Sequence, residues 1–253
     1  TIARPHEFRS GHHQAHVILQ SIVMTQYNLR QGIKKFGTKG KAAVMDELQQ
    51  LYDRDVMQPI SKSDLSPEER KGALRYLMFL KEKRCGKIKG RGCADGRPQR
   101  DYMSKEDTSS PTVATEALML TCVIEAIENQ DVATCDIPGA FMQSDMKGKV
   151  IVKLEGVMAE VIIKIDPSKY EKHIVHERGK PVIYVRLTKA LYGTLQAALL
   201  FWQNLSSQLQ EWGFKINPYD FCVANKTVNG EQCTIVWHVD DLKISHKDPK
   251  VVT

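Results

Sequence analysis

Two aspartates stand side by side in an otherwise apolar run, Thr234-Ile235-Val236-Trp237-His238-Val239-Asp240-Asp241-Leu242-Lys243-Ile244. Burying adjacent like charges is costly, so such a pair is kept at a turn or beside a cation. A third carboxylate, Asp136, ends a second short apolar segment that starts at Asp131, and Ile137-Pro138-Gly139-Ala140-Phe141 follows it. If the two segments are neighbouring strands, Asp136, Asp240 and Asp241 meet at one end of a sheet. Three hard oxygen donors placed so suit two divalent cations about 4 Å apart, the arrangement used for in-line phosphoryl transfer. Oxygen-only ligation favours magnesium, or manganese in its place, over zinc.

A second stretch with chemical potential is basic. From Lys81 to Asp101 there are eight basic residues (Lys81, Lys83, Arg84, Lys87, Lys89, Arg91, Arg97 and Arg100) against three acidic ones (Glu82, Asp95 and Asp101). Gly86, Gly90, Gly92 and Gly96 punctuate it, so its backbone is expected to lie close to a ligand. Cations that displace counterions, together with accessible N–H groups, give such a stretch affinity for phosphates. A solvated, charged hairpin is the plainer alternative. His12, His13 and His16 could share one helical face around a metal, but no further ligand is evident.

The elements that must position these residues are then read from pattern. The chain has 253 residues and a net charge of +6; its 42% hydrophobic and 26% charged content is ordinary for a folded protein. No apolar run reaches the roughly 18 residues of a membrane-spanning helix, so no membrane partner is expected. The N-terminus lacks a secretory core, and Thr1 in place of Met marks an expected piece of a longer chain. Six cysteines never form C-x-x-C and read as reduced core thiols, with a cytoplasmic setting as the default.

Residues 1–37 show no sustained periodicity and read as a linker or tail. Apolar residues at helical spacing predict a helix from Lys41 to Asp55, and Ser66-Pro67-Glu68-Glu69 is a capping box that opens another. A strand from near Tyr76 should turn at Cys85-Gly86, making the basic stretch a hairpin. A helix over Ala114–Glu128 is expected to bury Leu118, Val123 and Ile127. Strands follow at Asp131–Asp136, Lys149–Leu154 and Val182–Leu187, then a helix from Gln196 to Trp212 closed by Gly213. Asn229-Gly230 predicts a hairpin between Phe221–Val228 and Cys233–Val239. Helices and strands alternate without regular βαβ spacing, so the fold class is α+β.

Five motifs in order carry a resemblance to the reverse transcriptase of copia-type long-terminal-repeat retrotransposons. They are Gly86-Lys87-Ile88-Lys89-Gly90-Arg91-Gly92, Ser110-Pro111-Thr112-Val113, Asp136-Ile137-Pro138-Gly139-Ala140-Phe141, Lys189-Ala190-Leu191-Tyr192-Gly193-Thr194-Leu195-Gln196-Ala197 and His238-Val239-Asp240-Asp241. The resemblance spans about residues 41 to 247. His238 stands where the family has tyrosine, Thr194 where it has leucine, and Ala198-Leu199 where a proline is expected.

The resemblance implies a right-hand polymerase: fingers and a partial palm over residues 38–253, the palm an RRM-like antiparallel sheet with helices on one face. Twelve residues follow Asp241, so the thumb is expected to be missing. Asp136, Asp240 and Asp241 would hold two magnesium ions, with the Ile137 carbonyl as an extra ligand. Phe141 would exclude a 2′-hydroxyl, Lys87 and Arg91 would clamp the incoming deoxynucleoside triphosphate, and Gln196 would lie near it. Lys89, Arg97, Arg100 and His238 would contact the RNA/DNA template-primer. An integrase upstream, a ribonuclease H downstream and a cytoplasmic virus-like particle are further implications. The rival reading is an inactive retroelement fragment that only binds nucleic acid through Lys81–Arg100. A basic RNA-binding module of unrelated fold would need exposed aromatics on a sheet face.

Overall fold

The computed structural model describes residues 26–253. In chain order these form strand β1 (Gln26–Asn28), helix α1 (Leu29–Asp53), β2 (Met57–Ile60), α2 (Pro67–Gly72), β3 (Leu74–Glu82), β4 (Ile88–Ala94), α3 (Thr115–Glu128), β5 (Asp131–Asp136) and β6 (Ile151–Glu155). There follow α4 (Val157–Ile165), α5 (Pro167–Tyr170), β7 (Val175–Glu177), β8 (Lys180–Leu187), α6 (Ala197–Glu211), β9 (Lys215–Ile216), β10 (Val223–Val228), β11 (Glu231–His238), β12 (Asp241–His246) and α7 (Pro249–Val252). The mixture is α+β, as the alternation of patterns predicts. His12, His13 and His16 lie outside the described residues.

The linker expected through residue 37 ends earlier. Gln26–Asn28 pairs antiparallel with β3, and the Asn28 side chain caps α1 by accepting the Gln31 N–H. The helix then bends at Gly37, whose φ of 56° and ψ of −127° interrupt it. Such a conformation is open to glycine, and it disguises a helix that a window starting at Lys41 sees only from its second half.

The chain divides into two compact units. The first comprises the described residues up to Arg54, Pro59–Ala94 and Val152–Val185. Its sheet runs β1-β3-β6-β8-β2, with β4 added beside β3 and β7 beside β8. The β3–β6 pairing is parallel, and β3–β4 is an antiparallel hairpin in register from Tyr76↔Ala94 to Glu82↔Ile88. Alternation buries Leu74, Tyr76, Met78 and Leu80 on one face of β3. Helix α1 crosses β3 and β4 on that face and contributes the buried Ala43, Val44, Leu48 and Leu51. The capping box at Ser66 forms as expected, with both reciprocal bonds to Glu69.

The second unit comprises Asp55–Gln58, Asp95–Ile151 and Arg186–Thr253. It carries a five-stranded antiparallel sheet in the order β5-β12-β11-β10-β9. Asn229 and Gly230, at φ 52° and 83°, make the turn between β10 and β11 that their sequence predicts. Phe201, Leu205 and Leu209 of α6 pack with Ala224, Ile235, Trp237 and Leu242 on one sheet face. Helix α3 lies over the other face. Lys243, next to Leu242 and so on the opposite side of β12, bonds Thr121 at 2.8 Å and Glu125 at 2.5 Å. Helices thus cover both faces of this sheet, correcting the expectation of helices on one face. The burial expected of α3 also fails: Val123 is 53% exposed and Ile127 75%, because the buried Glu125 and not the apolar stripe faces the sheet.

Three of the cysteines expected in the core, Cys85, Cys122 and Cys135, are exposed, whereas Cys222 and Cys233 are buried; none of the six is in a disulfide. Among the described residues no helix is long and apolar enough to cross a membrane.

Candidate active site

The two aspartate segments are neighbouring strands. β5 pairs antiparallel with β12 in the register Asp136↔Asp241, and β12 pairs with β11 in the register His238↔Asp241. Directly opposed residues of an antiparallel pair project from the same face, with Cβ atoms about 5 Å apart. His238, Asp241 and Asp136 therefore form one row across three strands. Asp240 occupies the two-residue turn beside it, where its carbonyl oxygen accepts the Ile137 N–H at 3.0 Å. That bond fixes the two chain ends that carry the carboxylates. The preceding Val239 has φ 58°, a left-handed conformation unfavourable to a β-branched side chain, so the turn is strained.

This end of the sheet is accessible. Asp136, Asp241 and His238 are exposed and Asp240 is half-buried. Asp136, His238 and Asp241 line a cavity of about 570 Å³, whose far wall is Leu118 of α3 and the nearby Val113. Among the described residues no hydrogen bond or ion pair engages the three carboxylates. The one cation on their face that lines the same cavity, Lys243, is committed to Glu125. Asp136 and Asp241 in the row, with Asp240 in the turn beside it, thus bring three carboxylates to one end of the sheet without an ion-paired cation among the described residues, and a carboxylate donor set fits hard divalent cations. No group of three or more His, Cys, Asp or Glu is gathered tightly around one point among the described residues.

Phe141 lies in a single 3₁₀ turn, Ala140–Gln143, directly after the Asp136 segment. Its half-buried ring meets Tyr192 with centroids 4.4 Å apart and Phe201 at 6.1 Å. Tyr192 comes from the Lys189–Ala197 motif, so two sequence-predicted motifs converge here. Gln196 of that motif is buried, and its Nε2 donates to the Lys147 carbonyl at 2.9 Å. Its amide is thus used inside the unit, between the motif and Lys147. Sequence reasoning passed over Gln99, which is fully buried and accepts the Leu195 N–H through Oε1 at 2.9 Å. It secures the same motif from a different segment; a glutamine in a basic surface stretch gives no sequence signal of this.

The basic stretch is divided between the units at Ala94 and Asp95. In the first unit Lys87 precedes β4, and Lys89 and Arg91 project from its exposed side. The turn is closed by Lys83 N–H to the Lys87 carbonyl at 2.9 Å, with Gly86 at φ 77°. Gly90 and Gly92, expected to bring backbone to a ligand, are instead buried. A Cβ on Gly90 would stand 2.5 Å from the Ala43 carbonyl oxygen, and one on Gly92 would stand 1.7 Å from the Tyr76 hydroxyl. They are glycines because α1 and Tyr76 pack against them. In the second unit Arg97 makes a two-pronged pair with Asp95, at 2.8 and 2.6 Å, which leaves less charge for nucleic acid than its type promised. Arg100 sits in the same 3₁₀ segment, Arg97–Asp101, and is exposed.

No curated protein matches the chain. A model of the family described as reverse transcriptase (RNA-dependent DNA polymerase) matches residues 64–253. The matched span contains the β3–β4 hairpin, the Lys189–Ala197 motif and the whole carboxylate row. The chain therefore belongs to the reverse transcriptase family of RNA-dependent DNA polymerases.

Proposed function

We propose that the chain is the RNA-directed DNA polymerase of a copia-type retrotransposon and adds deoxynucleotides to a primer on an RNA or DNA template. The observation that carries this reading is the register that sets Asp136 opposite Asp241 with Asp240 in the adjoining turn. In this reading Asp136, Asp240 and Asp241 would hold two magnesium ions, with manganese as a substitute and the Ile137 carbonyl as a further ligand. The ions would supply activation of the primer 3′-hydroxyl and neutralisation of the leaving pyrophosphate. Phe141 limits the space beside the sugar, His238 flanks the primer end, and Lys87, Lys89 and Arg91 offer charge to the triphosphate and template. Arg100 adds backbone contact from the second unit.

The unit bearing the β3–β4 hairpin takes the part of fingers, and the unit bearing the carboxylate row takes the part of palm. The polymerase portion then begins no later than Gln26. The rest of the polyprotein, with an integrase before it and a ribonuclease H after it, would be its covalent partners inside a cytoplasmic virus-like particle.

The test is deoxynucleotide incorporation on an RNA template with a DNA primer in magnesium. Asp240→Asn should lower incorporation by at least about a hundredfold, while template-primer affinity stays within about threefold. Equal activity in the two proteins would remove Asp240 from the chemistry. Binding without incorporation by the unmutated, folded chain would favour the fragment that only binds nucleic acid.

A further inference from the structure

Glu47 lies within α1, and its Oε1 accepts a hydrogen bond from the Gly92 N–H at 2.8 Å. β4 pairs only with β3 among the described strands, so it is an edge strand, and Glu47 occupies one of its backbone donors from the helix side. The approach is possible because β4 has no side chain there: a Cβ on Gly90 would lie 3.1 Å from Glu47 Cβ. Burial pushes the Glu47 carboxyl above its ordinary range, while the Gly92 bond and the charges of Lys89 and Arg91 pull it back. A carboxylate is a poor choice for filling space in this layer, since an apolar residue of its size would pack there without a desolvation cost. What the carboxylate adds is a directional hold on the one strand whose other side carries Lys89 and Arg91.

We propose that Glu47 is a positioning residue for the incoming nucleotide: by anchoring Gly92 to α1 it fixes the height and register at which Lys89 and Arg91 are presented. It touches no substrate itself. The cations alternate with the two buried glycines, so a displacement of Gly92 moves both together. This inference rests on the reading of the β3–β4 hairpin as the part that meets the triphosphate.

The test compares the full chain with Glu47→Met, which fills the space but accepts no hydrogen bond, and Glu47→Gln, which keeps an oxygen acceptor. Incorporation kinetics are measured against deoxynucleotide concentration, beside amide hydrogen exchange at Gly92. Glu47→Met should raise KM for the nucleotide about tenfold with kcat within about threefold, and speed exchange at Gly92; Glu47→Gln should stay within about threefold of the unmutated chain on both. An unchanged KM in Glu47→Met, a fall in kcat alone, or a Glu47→Gln variant no better than Glu47→Met would overturn the proposal. So would an unprotected Gly92 amide in the unmutated chain, whatever the variants do. An unmutated chain that protects Gly92 but incorporates nothing would instead overturn the polymerase reading, and the nucleotide role of Glu47 with it.

Discussion

Phe141 divides its ring between two duties. One part is packed against Tyr192 and Phe201, and the remainder is open. On the proposed reading the open part excludes a 2′-hydroxyl, so Phe141→Ala should admit ribonucleotides and lower the preference for deoxynucleotides by at least about tenfold. Steady-state kinetics with matched ribo- and deoxynucleotides would check this; an unchanged preference accompanied by a lower Tm would return Phe141 to packing alone. At this scale the sequence was informative where a residue type has few other uses. Paired carboxylates interrupting an apolar strand are expensive, so Asp136, Asp240 and Asp241 stood out. Gln196 did not reveal its internal bond to Lys147, since an amide serves equally well inside or outside a fold.

Among the elements, the β3–β4 hairpin shows how one residue type misleads. Gly90 and Gly92 resemble a phosphate loop in composition, yet they are spacers that let α1 and Tyr76 come close. Gly92→Ala would drive a methyl group into the Tyr76 hydroxyl, which is buried and has no hydrogen-bond partner among the described residues. Forced repacking should cost about 1–3 kcal/mol, measured as a lowered midpoint in urea unfolding; a midpoint equal to that of the unmutated chain would show that the layer yields freely. Elements with strong local signals were legible: the Ser66 capping box, the Asn229-Gly230 turn and the helix ended by Gly213. Those set by tertiary contact were not. Periodicity in α3 located an apolar stripe but not the direction it faces, because Lys243, far along the chain, pairs with the buried Glu125 and sets the helix's rotation.

For the molecule as a whole, one ion network dominates the expected response to acid. Glu177 is held to about 2, from an ordinary 4.5, chiefly by hydrogen bonds from Lys153 and Lys62 and with a smaller share from the Tyr184 hydroxyl; burial opposes them. A folded-state value below the unfolded one means that this stabilisation is complete above about pH 4.5 and is lost as pH falls through about 2. Urea midpoints measured from pH 6 down to pH 3 should therefore decline, and Glu177→Gln should flatten that decline; an equal slope in both proteins would place the acid sensitivity elsewhere. Glu68 and Asp166, also held below their ordinary values, act in the same direction.

The two units are interleaved along the chain, and this has a consequence for synthesis. The first unit has all its segments once Val185 has left the ribosome, whereas β5 of the second must wait for β12, the last strand of its sheet, before Asp136 gains its partner. Until then the nascent chain holds an unpaired strand ending in a carboxylate and no row of charges at all. A truncation after Val185 and before Asp241 can leave the first unit's segments whole while removing the strand that brings Asp241 opposite Asp136. Loss of the candidate site by premature termination is thus uncoupled from loss of folding in that unit, and the slow, long-range closure of β5 on β12 becomes the step at which that site comes into existence.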